Sequence, residues 1–182
     1  MITKKYNREI LPLIIILFAG FLHSAEQKVY RVPIQGVIDL GLPTFIERAI
    51  EEAENNQVEV IIFDIDTFGG RVDAATQIKD AILDSKVPTI AFINRRAISA
   101  GALISLSCET IYMTGGGTIG AATAVDMSGN KASEKVISYM REEMASTAES
   151  RDRNTIIAKC MVDEELSFTH VIIDGDSVEV TD

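Results

Sequence analysis

One serine in the sequence has the surroundings expected of a nucleophile. Ser99 lies in "NRRAISAGALISLS", among alanine and glycine residues and just before an apolar run. Small neighbours allow the backbone to turn sharply and allow other groups to approach the hydroxyl closely. The spacing from Ala97 to Gly101 is that of a loosened nucleophile elbow, small-x-Ser-x-Gly. A well-packed turn without chemistry is the structural alternative.

A second small-residue stretch can supply the anion-binding backbone that a nucleophilic serine requires. In "DIDTFGGRVDAA", the Gly69-Gly70 pair follows a predicted strand and opens a predicted helix. Glycines at a helix start leave N–H groups directed at an anion, with the helix dipole behind them. If the two preceding strands are neighbours, these N–H groups and Ser99 meet at one point. Two tight strand-to-helix turns explain the same residues without chemistry.

The serine also needs a base, and the sequence offers two candidates. His170 is the only histidine after residue 25, and its strand-like segment "SFTHVIID" favours a structural role. Lys135 lies in the first turn of a predicted helix, where the positive end of the dipole disfavours a cation. A neutral lysine amine can accept a serine proton. Helical spacing turns Lys135 away from the predicted apolar stripe, so an exposed surface lysine is the alternative. That stripe comprises Val136, Ile137, Met140 and Met144.

The segments around these residues alternate between two hydrophobic periods. The patterns predict strands at residues 28–38, 58–66 and 87–94, and helices at 41–56 and 71–86. Strands that alternate with helices of this length indicate an α/β fold with a mostly parallel sheet and βαβ crossovers. In such a sheet, functional groups gather at the carboxyl ends of the strands. Both small-residue stretches fall at such ends.

Length, composition and charge limit the classes of protein. A chain of 182 residues can bury one sizeable core. Its net charge is −10, and it has no basic cluster beyond the amino terminus, which argues against nucleic acid as a partner. Cys108 and Cys160 have no metal-ligand spacing around them, and we expect two buried thiols rather than a disulfide or a metal site.

The first 25 residues form a separate segment. Lys4, Lys5 and Arg8 precede "ILPLIIILFAGFL", which is 13 residues long and short for a membrane span of about 30 Å. The pattern predicts a signal peptide cleaved after Ala25, or a retained membrane anchor. Residues 26–182 then form the functional domain. We expect this domain to be exported to a periplasmic or other extracytoplasmic location, in association with the membrane.

Four motifs together resemble a known family. "DTFGGRVDAA", "PTIAFINRRAISAGALISL", "GGTIGAA" and "ASEKVISYMREEMASTAESR" follow the order seen in NfeD-type membrane-associated serine proteases. The resemblance covers about residues 28–166. It implies the Clp protease/crotonase-like fold for this chain. It also implies that residues 26–182 are a serine protease domain.

The resemblance further implies a Ser–Lys dyad that cleaves peptide bonds. Ser99 corresponds to the nucleophile and Lys135 to the general base, while the N–H groups of Gly70 and Ala100 correspond to the oxyanion hole. Gly69 and Phe68 are the residues expected to contact substrate. In this interpretation, the small residues around Ser99 allow the substrate backbone to reach the hydroxyl. No metal or organic cofactor is required.

Substrate and assembly are implied in the same way. Proteases of this family cleave apolar segments of membrane proteins such as stomatin-like partners, and related folds form homo-oligomers. We therefore expect a hydrophobic peptide or membrane protein as substrate and a homo-oligomeric assembly.

One departure from the family keeps other functions open. Phe68 stands where the family usually has proline, before the two glycines. A catalytically weak or inactive adaptor that binds a membrane protein is therefore the main alternative. A crotonase-like acyl-CoA enzyme is a further alternative, although the sequence lacks a basic site for CoA phosphates.

Overall fold

Strands and helices alternate along most of the chain. The computed structural model describes residues 28–125 and 128–166, together with the backbone of residues 169–173 and 176–180. The elements are β1 (Val29–Ile38), α1 (Leu42–Asn55), β2 (Val60–Gly70), α2 (Val72–Leu83), β3 (Thr89–Ile98), α3 (Ala100–Ser107), β4 (Thr110–Met113), β5 (Thr118–Gly120), α4 (Glu134–Glu149), α5 (Thr155–Cys160), β6 (Thr169–Ile173) and β7 (Asp176–Val180). The predicted leader, residues 1–25, lies outside the described residues. Within the described part of the chain, no helix has the length and apolar character needed to cross a membrane.

The main sheet is parallel, as the alternation of elements predicts. Its strand order is β1-β2-β3-β4, and β5 pairs with the end of β3. All four of these pairings are parallel. Strands β6 and β7 form a separate antiparallel pair. The α/β fold with a mostly parallel sheet is therefore confirmed, and β2 and β3 are neighbours, as a shared site requires.

The core lies where alternate strand residues meet the apolar faces of the helices. Ile34, Phe63 and Ile93 are fully buried on β1, β2 and β3. Helix α3 is different, because all eight of its residues are buried. A helix that is apolar on every side belongs in the interior. It packs against β2, β3 and β5 and against helices α2 and α4, and so provides a rigid support for the residue that precedes it.

Two arginines after α4 hold the carboxyl end of α3. Arg153 donates hydrogen bonds to the carbonyl oxygens of Leu106, Cys108 and Glu109 at 2.9, 2.8 and 2.9 Å. Arg151 donates to the Ser107 carbonyl at 2.7 Å. The last carbonyls of a helix have no partner within the helix, and cations there complement its dipole. These two side chains therefore satisfy the otherwise unpaired end of a buried helix.

The two cysteines are both free. Cys108 is buried, and burial raises the pKa of its thiol to about 12. Cys160 is half-buried at the end of α5. The expectation of two buried thiols is therefore confirmed for Cys108 and is wrong for Cys160, which is partly accessible because α5 lies at the surface of the core.

Replacement of Arg153 tests the support of α3. We expect Arg153→Ala to lower the free energy of unfolding by about 2–3 kcal/mol, because several carbonyls lose a charged hydrogen-bond donor. Urea denaturation followed by circular dichroism measures this change. Arg48 is exposed on α1, and Arg48→Ala serves as the control, with an expected change within about 0.5 kcal/mol. Equal effects of the two substitutions would contradict the support of α3 by Arg153.

Candidate active site

Ser99 lies between β3 and α3 with an unusual backbone conformation. Its φ is 54° and its ψ is −119°, and it precedes the first residue of α3. A positive φ is uncommon for a residue with a side chain, and it persists only where the surroundings enforce it. The Ser99 N–H donates to the Gly120 carbonyl on β5 at 2.8 Å. The predicted strand-to-helix turn at Ser99 is confirmed.

The residues Thr67–Gly70, here called the glycine loop, bring Gly69 against the serine. Gly69 has a φ of +101°, and a Cβ built on it would lie 2.7 Å from Ser99 Cβ and 3.1 Å from Ser99 Oγ. The same atom would lie 3.0 Å from the Ile98 carbonyl oxygen. A side chain at this position would displace the serine. The structure thus unites the two small-residue stretches at one point.

Gly70 approaches the neighbouring strand rather than the serine side chain. A Cβ on Gly70 would lie 2.2 Å from the Ile38 carbonyl oxygen on β1, so only glycine fits there. The following residue, Arg71, donates its N–H to that same oxygen at 2.8 Å. Ala100 is the first residue of α3, and the first N–H groups of a helix have no acceptor within the helix.

Thr67 anchors the glycine loop from the inside. Its hydroxyl accepts the Gly69 N–H at 2.9 Å and donates to the Gly36 carbonyl. Its methyl group faces Gly101, where a Cβ would lie 2.5 Å away. Thr67 was not predicted as a site residue, although it directly precedes Phe68 and the two glycines in the sequence.

The small residues around Ser99 serve internal packing. Ala97 and Ala100 are 0% and 2% exposed, and Gly101 leaves room for Thr67. The interpretation that they let substrate reach the serine is wrong for these three, because they point into the core. The residue that approaches Ser99 closely is Gly69.

Lys135 lies away from the apolar face of α4, as the helical spacing predicts. It is the second residue of α4, and its side chain is exposed. The apolar face of α4 is confirmed at Ile137, Met140 and Met144, which are buried, whereas Val136 is 39% exposed. Within the part of the chain that the structure describes, no hydrogen bond joins Lys135 to Ser99. The side chain of His170 lies outside that part.

An open groove lies between the start of α2 and the exposed side of α4. Its volume is 570 Å³, and its walls are Arg71, Val72, Asp73, Thr76, Gln77 and Tyr139. Arg71 directly follows Gly70, and Tyr139 lies one helical turn after Lys135 on α4. The groove therefore lies between the start of α2 and α4, and Lys135, Ser99 and the residues Thr67–Gly70 are not among its walls. The sequence predicted neither the groove nor the role of Tyr139 in it.

Apolar side chains are exposed beside the glycine loop. Phe68 is 72% exposed, and Val37, which pairs with Gly69 across the sheet, is 75% exposed. Leu40 lies three residues after Val37 in the sequence and is 55% exposed. We call Val37, Leu40 and Phe68 the apolar rim.

For residues 28–125 and 128–166, no cluster of His, Cys, Asp or Glu could hold a metal ion.

Comparison with solved structures gives the class of protein. ClpP1 from Listeria monocytogenes superposes with a TM-score of 0.53 at 23% identity, over 73% of this chain and 78% of that chain. Identity at this level shows the fold alone. The chain has the Clp protease-like fold, with a serine at a strand-to-helix turn and a glycine loop beside it.

A membrane-bound protease has a more similar structure. The 1510-N membrane-bound stomatin-specific protease has been solved as a lysine-to-alanine mutant in complex with a substrate peptide. That structure matches with a TM-score of 0.72 and 32% identity, over 78% of this chain and 68% of that chain. A serine-to-alanine mutant of the same protease matches with a TM-score of 0.71, over 78% of this chain and 72% of that chain.

Sequence comparison defines the family. The family profile of the NfeD1b N-terminal domain matches residues 28–179. Membrane protein NfeD1b of Bacillus subtilis (strain 168) is 34% identical over 171 residues, or 92% of this chain. Membrane-bound protease PH1510 of Pyrococcus horikoshii is 32% identical over 171 residues, or 90% of this chain. The chain spans 39% of the length of each of these relatives. It belongs to the NfeD1b N-terminal domain family.

Replacement of Gly69 tests the packing of the site. We expect Gly69→Ala to lower the free energy of unfolding by about 1–3 kcal/mol, since alanine disfavours the positive φ and its Cβ would collide with Ser99. Thermal and urea denaturation measure this loss. A Cβ built on Gly115 would meet no heavy atom within 4 Å, so Gly115→Ala is the matched control, with an expected change below about 1 kcal/mol. A Gly69→Ala variant as stable as the control would show that the contact is not enforced.

Proposed function

We propose that this chain is a serine endopeptidase domain that cleaves hydrophobic segments of membrane-associated proteins with Ser99 and Lys135. The observation that carries the proposal is the conformation of Ser99. It is held at a positive φ, at the start of a buried helix and against a glycine without a side chain. Such backbone strain gathers at functional sites, where a reactive group must be presented in one direction.

The proposed chemistry is acyl transfer through a serine ester. The neutral amine of Lys135 takes the proton of Ser99 as Oγ bonds to the carbonyl carbon of a peptide. The C–N bond then breaks, and the lysine returns that proton to the leaving amine. A water molecule then loses a proton to the Lys135 amine and attacks the ester carbonyl carbon. The ester C–O bond breaks, and the lysine returns that proton to Ser99 Oγ. No metal or organic cofactor takes part.

The oxyanion of the tetrahedral intermediate is assigned to the N–H groups of Gly70 and Ala100. Ala100 supports this assignment because its N–H begins α3, where the helix dipole favours negative charge. Gly70 lies one residue after Gly69, which touches Ser99. An oxyanion bound by backbone N–H groups needs no side chain from either segment.

The proposed substrate is an extended apolar peptide. The apolar rim supports this choice, since Val37, Leu40 and Phe68 are exposed, Phe68 belongs to the glycine loop and Val37 pairs with Gly69. Gly69 and Phe68 would contact the substrate backbone and side chains. A relative of this chain is described as specific for a stomatin homologue, and a stomatin-like membrane protein is our proposed partner.

One observation favours a second function. Lys135 is exposed, whereas a lysine that serves as a base is usually neutralised by burial. An adaptor that binds a membrane protein without cleaving it would fit this arrangement. The hydrogen bonds of a catalytic base often tighten only when substrate binds, and for that reason we favour the peptidase.

Location and assembly complete the proposal. The positive residues before the apolar segment at the amino terminus favour an exported domain that is associated with the membrane. Reporter fusions after residue 30 should be active outside the cytoplasm, and activity confined to the cytoplasm would overturn export.

We also propose that the chain forms a homo-oligomer. Sedimentation over a range of concentrations tests this assembly, and the finding of monomers alone would reject it.

Substitution of the dyad tests the chemistry. We expect Ser99→Ala and Lys135→Ala each to reduce cleavage of an apolar peptide by about 10³-fold or more, with little further loss in the double variant. Lys135→Arg should also be inactive, because a guanidinium does not lose its proton and cannot act as a base. Peptide cleavage and fluorophosphonate labelling of Ser99 measure these effects.

A neighbouring lysine provides the control. Lys131 is exposed four residues before Lys135, and Lys131→Ala should leave turnover unchanged. His170→Ala should also change little. Near-normal turnover of Lys135→Ala together with loss of activity in His170→Ala would replace the Ser–Lys dyad with a histidine-dependent triad. Binding of the apolar peptide without any cleavage would favour the adaptor.

A further inference from the structure

Strand β3 carries an irregularity a few residues before Ser99. Ile65 and Thr67 of β2 pair with Ile93 and Ala97 of β3, so three residues of β3 lie opposite the single Asp66. These three residues are Asn94, Arg95 and Arg96. Extra residues in a strand redirect side chains, and such bulges are frequent next to active sites. This bulge contains the two arginines that precede the serine.

Arg96 reaches back from the bulge to the glycine loop. Its guanidinium carbon lies 4.6 Å from the centre of the Phe68 ring. The same guanidinium donates to Asp66 Oδ1 at 3.3 Å. An arginine over an aromatic face is attracted by the ring quadrupole, and the planar guanidinium stacks well on a ring. The contact joins β2 to β3 on the solvent side of the site.

We propose that Arg96 and Phe68 form a clasp that holds the glycine loop against Ser99, with Asp66 orienting the arginine. Phe68 directly precedes Gly69, and Arg96 lies three residues before Ser99. The clasp therefore connects the two segments whose relative position defines the site. Both residues act through the backbone, as positioning residues.

The clasp complements the anchor on the inner side of the glycine loop. Thr67 is 1% exposed and holds the loop from the core, whereas the Phe68 ring is 72% exposed. Two consecutive glycines are the most flexible residues that a backbone can contain. Restraint of Phe68 limits the freedom of the glycines that follow it. The large exposed part of the ring stays open to the apolar substrate that we propose above.

Hydrogen exchange tests the clasp without reference to catalysis. In the purified domain, Phe68→Leu keeps an apolar side chain without a ring face, and Arg96→Gln removes the cation. Each should raise the exchange rate of the Gly69 and Gly70 amides by about two- to fivefold, as expected for the loss of one partly exposed cation–π contact. The double variant should exchange no faster than either single variant. Phe68→Tyr should keep the parental rate.

The neighbouring arginine is the matched control. Arg95 is exposed in the same bulge and carries the same charge. Arg95→Gln should leave the exchange of both glycine amides at the parental rate. An equal effect of Arg95→Gln and Arg96→Gln would show that net charge, and not the clasp, governs the glycine loop, and would overturn the inference.

A kinetic measurement links the clasp to the site and rests on the proposed function. A small fluorophosphonate measures the reactivity of Ser99 without a bound peptide. Phe68→Leu and Arg96→Gln should each slow its reaction with Ser99 by about two- to fivefold. Arg96→Gln leaves the proposed substrate contact of Phe68 in place, and should lower kcat for an apolar peptide with little change in KM. Parental labelling in both variants, with a rise in KM for Phe68→Leu alone, would leave Phe68 with its substrate contact only and reject the clasp.

The two proposals fail in different ways. If the parent protein neither cleaves peptide nor labels at Ser99, the proposed peptidase is wrong, while the exchange rates still decide the clasp. If the parent is active but the single and double variants keep parental exchange, the clasp is wrong and the peptidase stands.

Discussion

The site depends on one contact, in which Gly69 lies against Ser99 with no space for a side chain. This contact requires strands β2 and β3 to be parallel neighbours that end at the same edge of the sheet. It also requires both residues to adopt a positive φ, which glycine does freely and serine does only under constraint. The surrounding structure supplies that constraint from three directions: the hydrogen bond to β5, the buried helix α3 and the internal hydroxyl of Thr67.

Helix α3 holds Ser99 in place, because the serine directly precedes the first residue of this buried helix. All eight residues of α3 are buried, so packing in the core fixes the direction of the helix. The positive end of its dipole lies at its amino terminus, next to Ser99. Its carboxyl end would leave carbonyls unpaired in the interior, and Arg151 and Arg153 satisfy them. The arginines come from the segment after α4. The same packing that buries α3 therefore also determines where α4 lies.

The candidate base, Lys135, is positioned by a different set of contacts from the candidate nucleophile, Ser99. Lys135 lies on α4, which contacts α3 and is joined to α2 by an ion pair between Lys79 and Glu143 at 3.0 Å. A largely buried ion pair of this kind fixes orientation more than it adds stability. The glycine loop precedes α2. Helix α2 thus connects the two sides of the groove, and the distance between base and oxyanion loop depends on helix packing.

The sequence by itself determined the class of fold and the position of the candidate nucleophile. Hydrophobic periodicity is local, and it located β1, β2, α1 and α2 to within a few residues; the motif around Ser99 placed it correctly at a strand-to-helix turn. Contacts between residues distant in the sequence could not be predicted from hydrophobic periodicity in the same way. The small residues Ala97, Ala100 and Gly101 face the core. Arg96 lies against one face of the Phe68 ring, next to a bulge of β3 that shifts the pairing with β2. Which neighbour a side chain meets depends on strand register and helix packing, which only the tertiary structure decides.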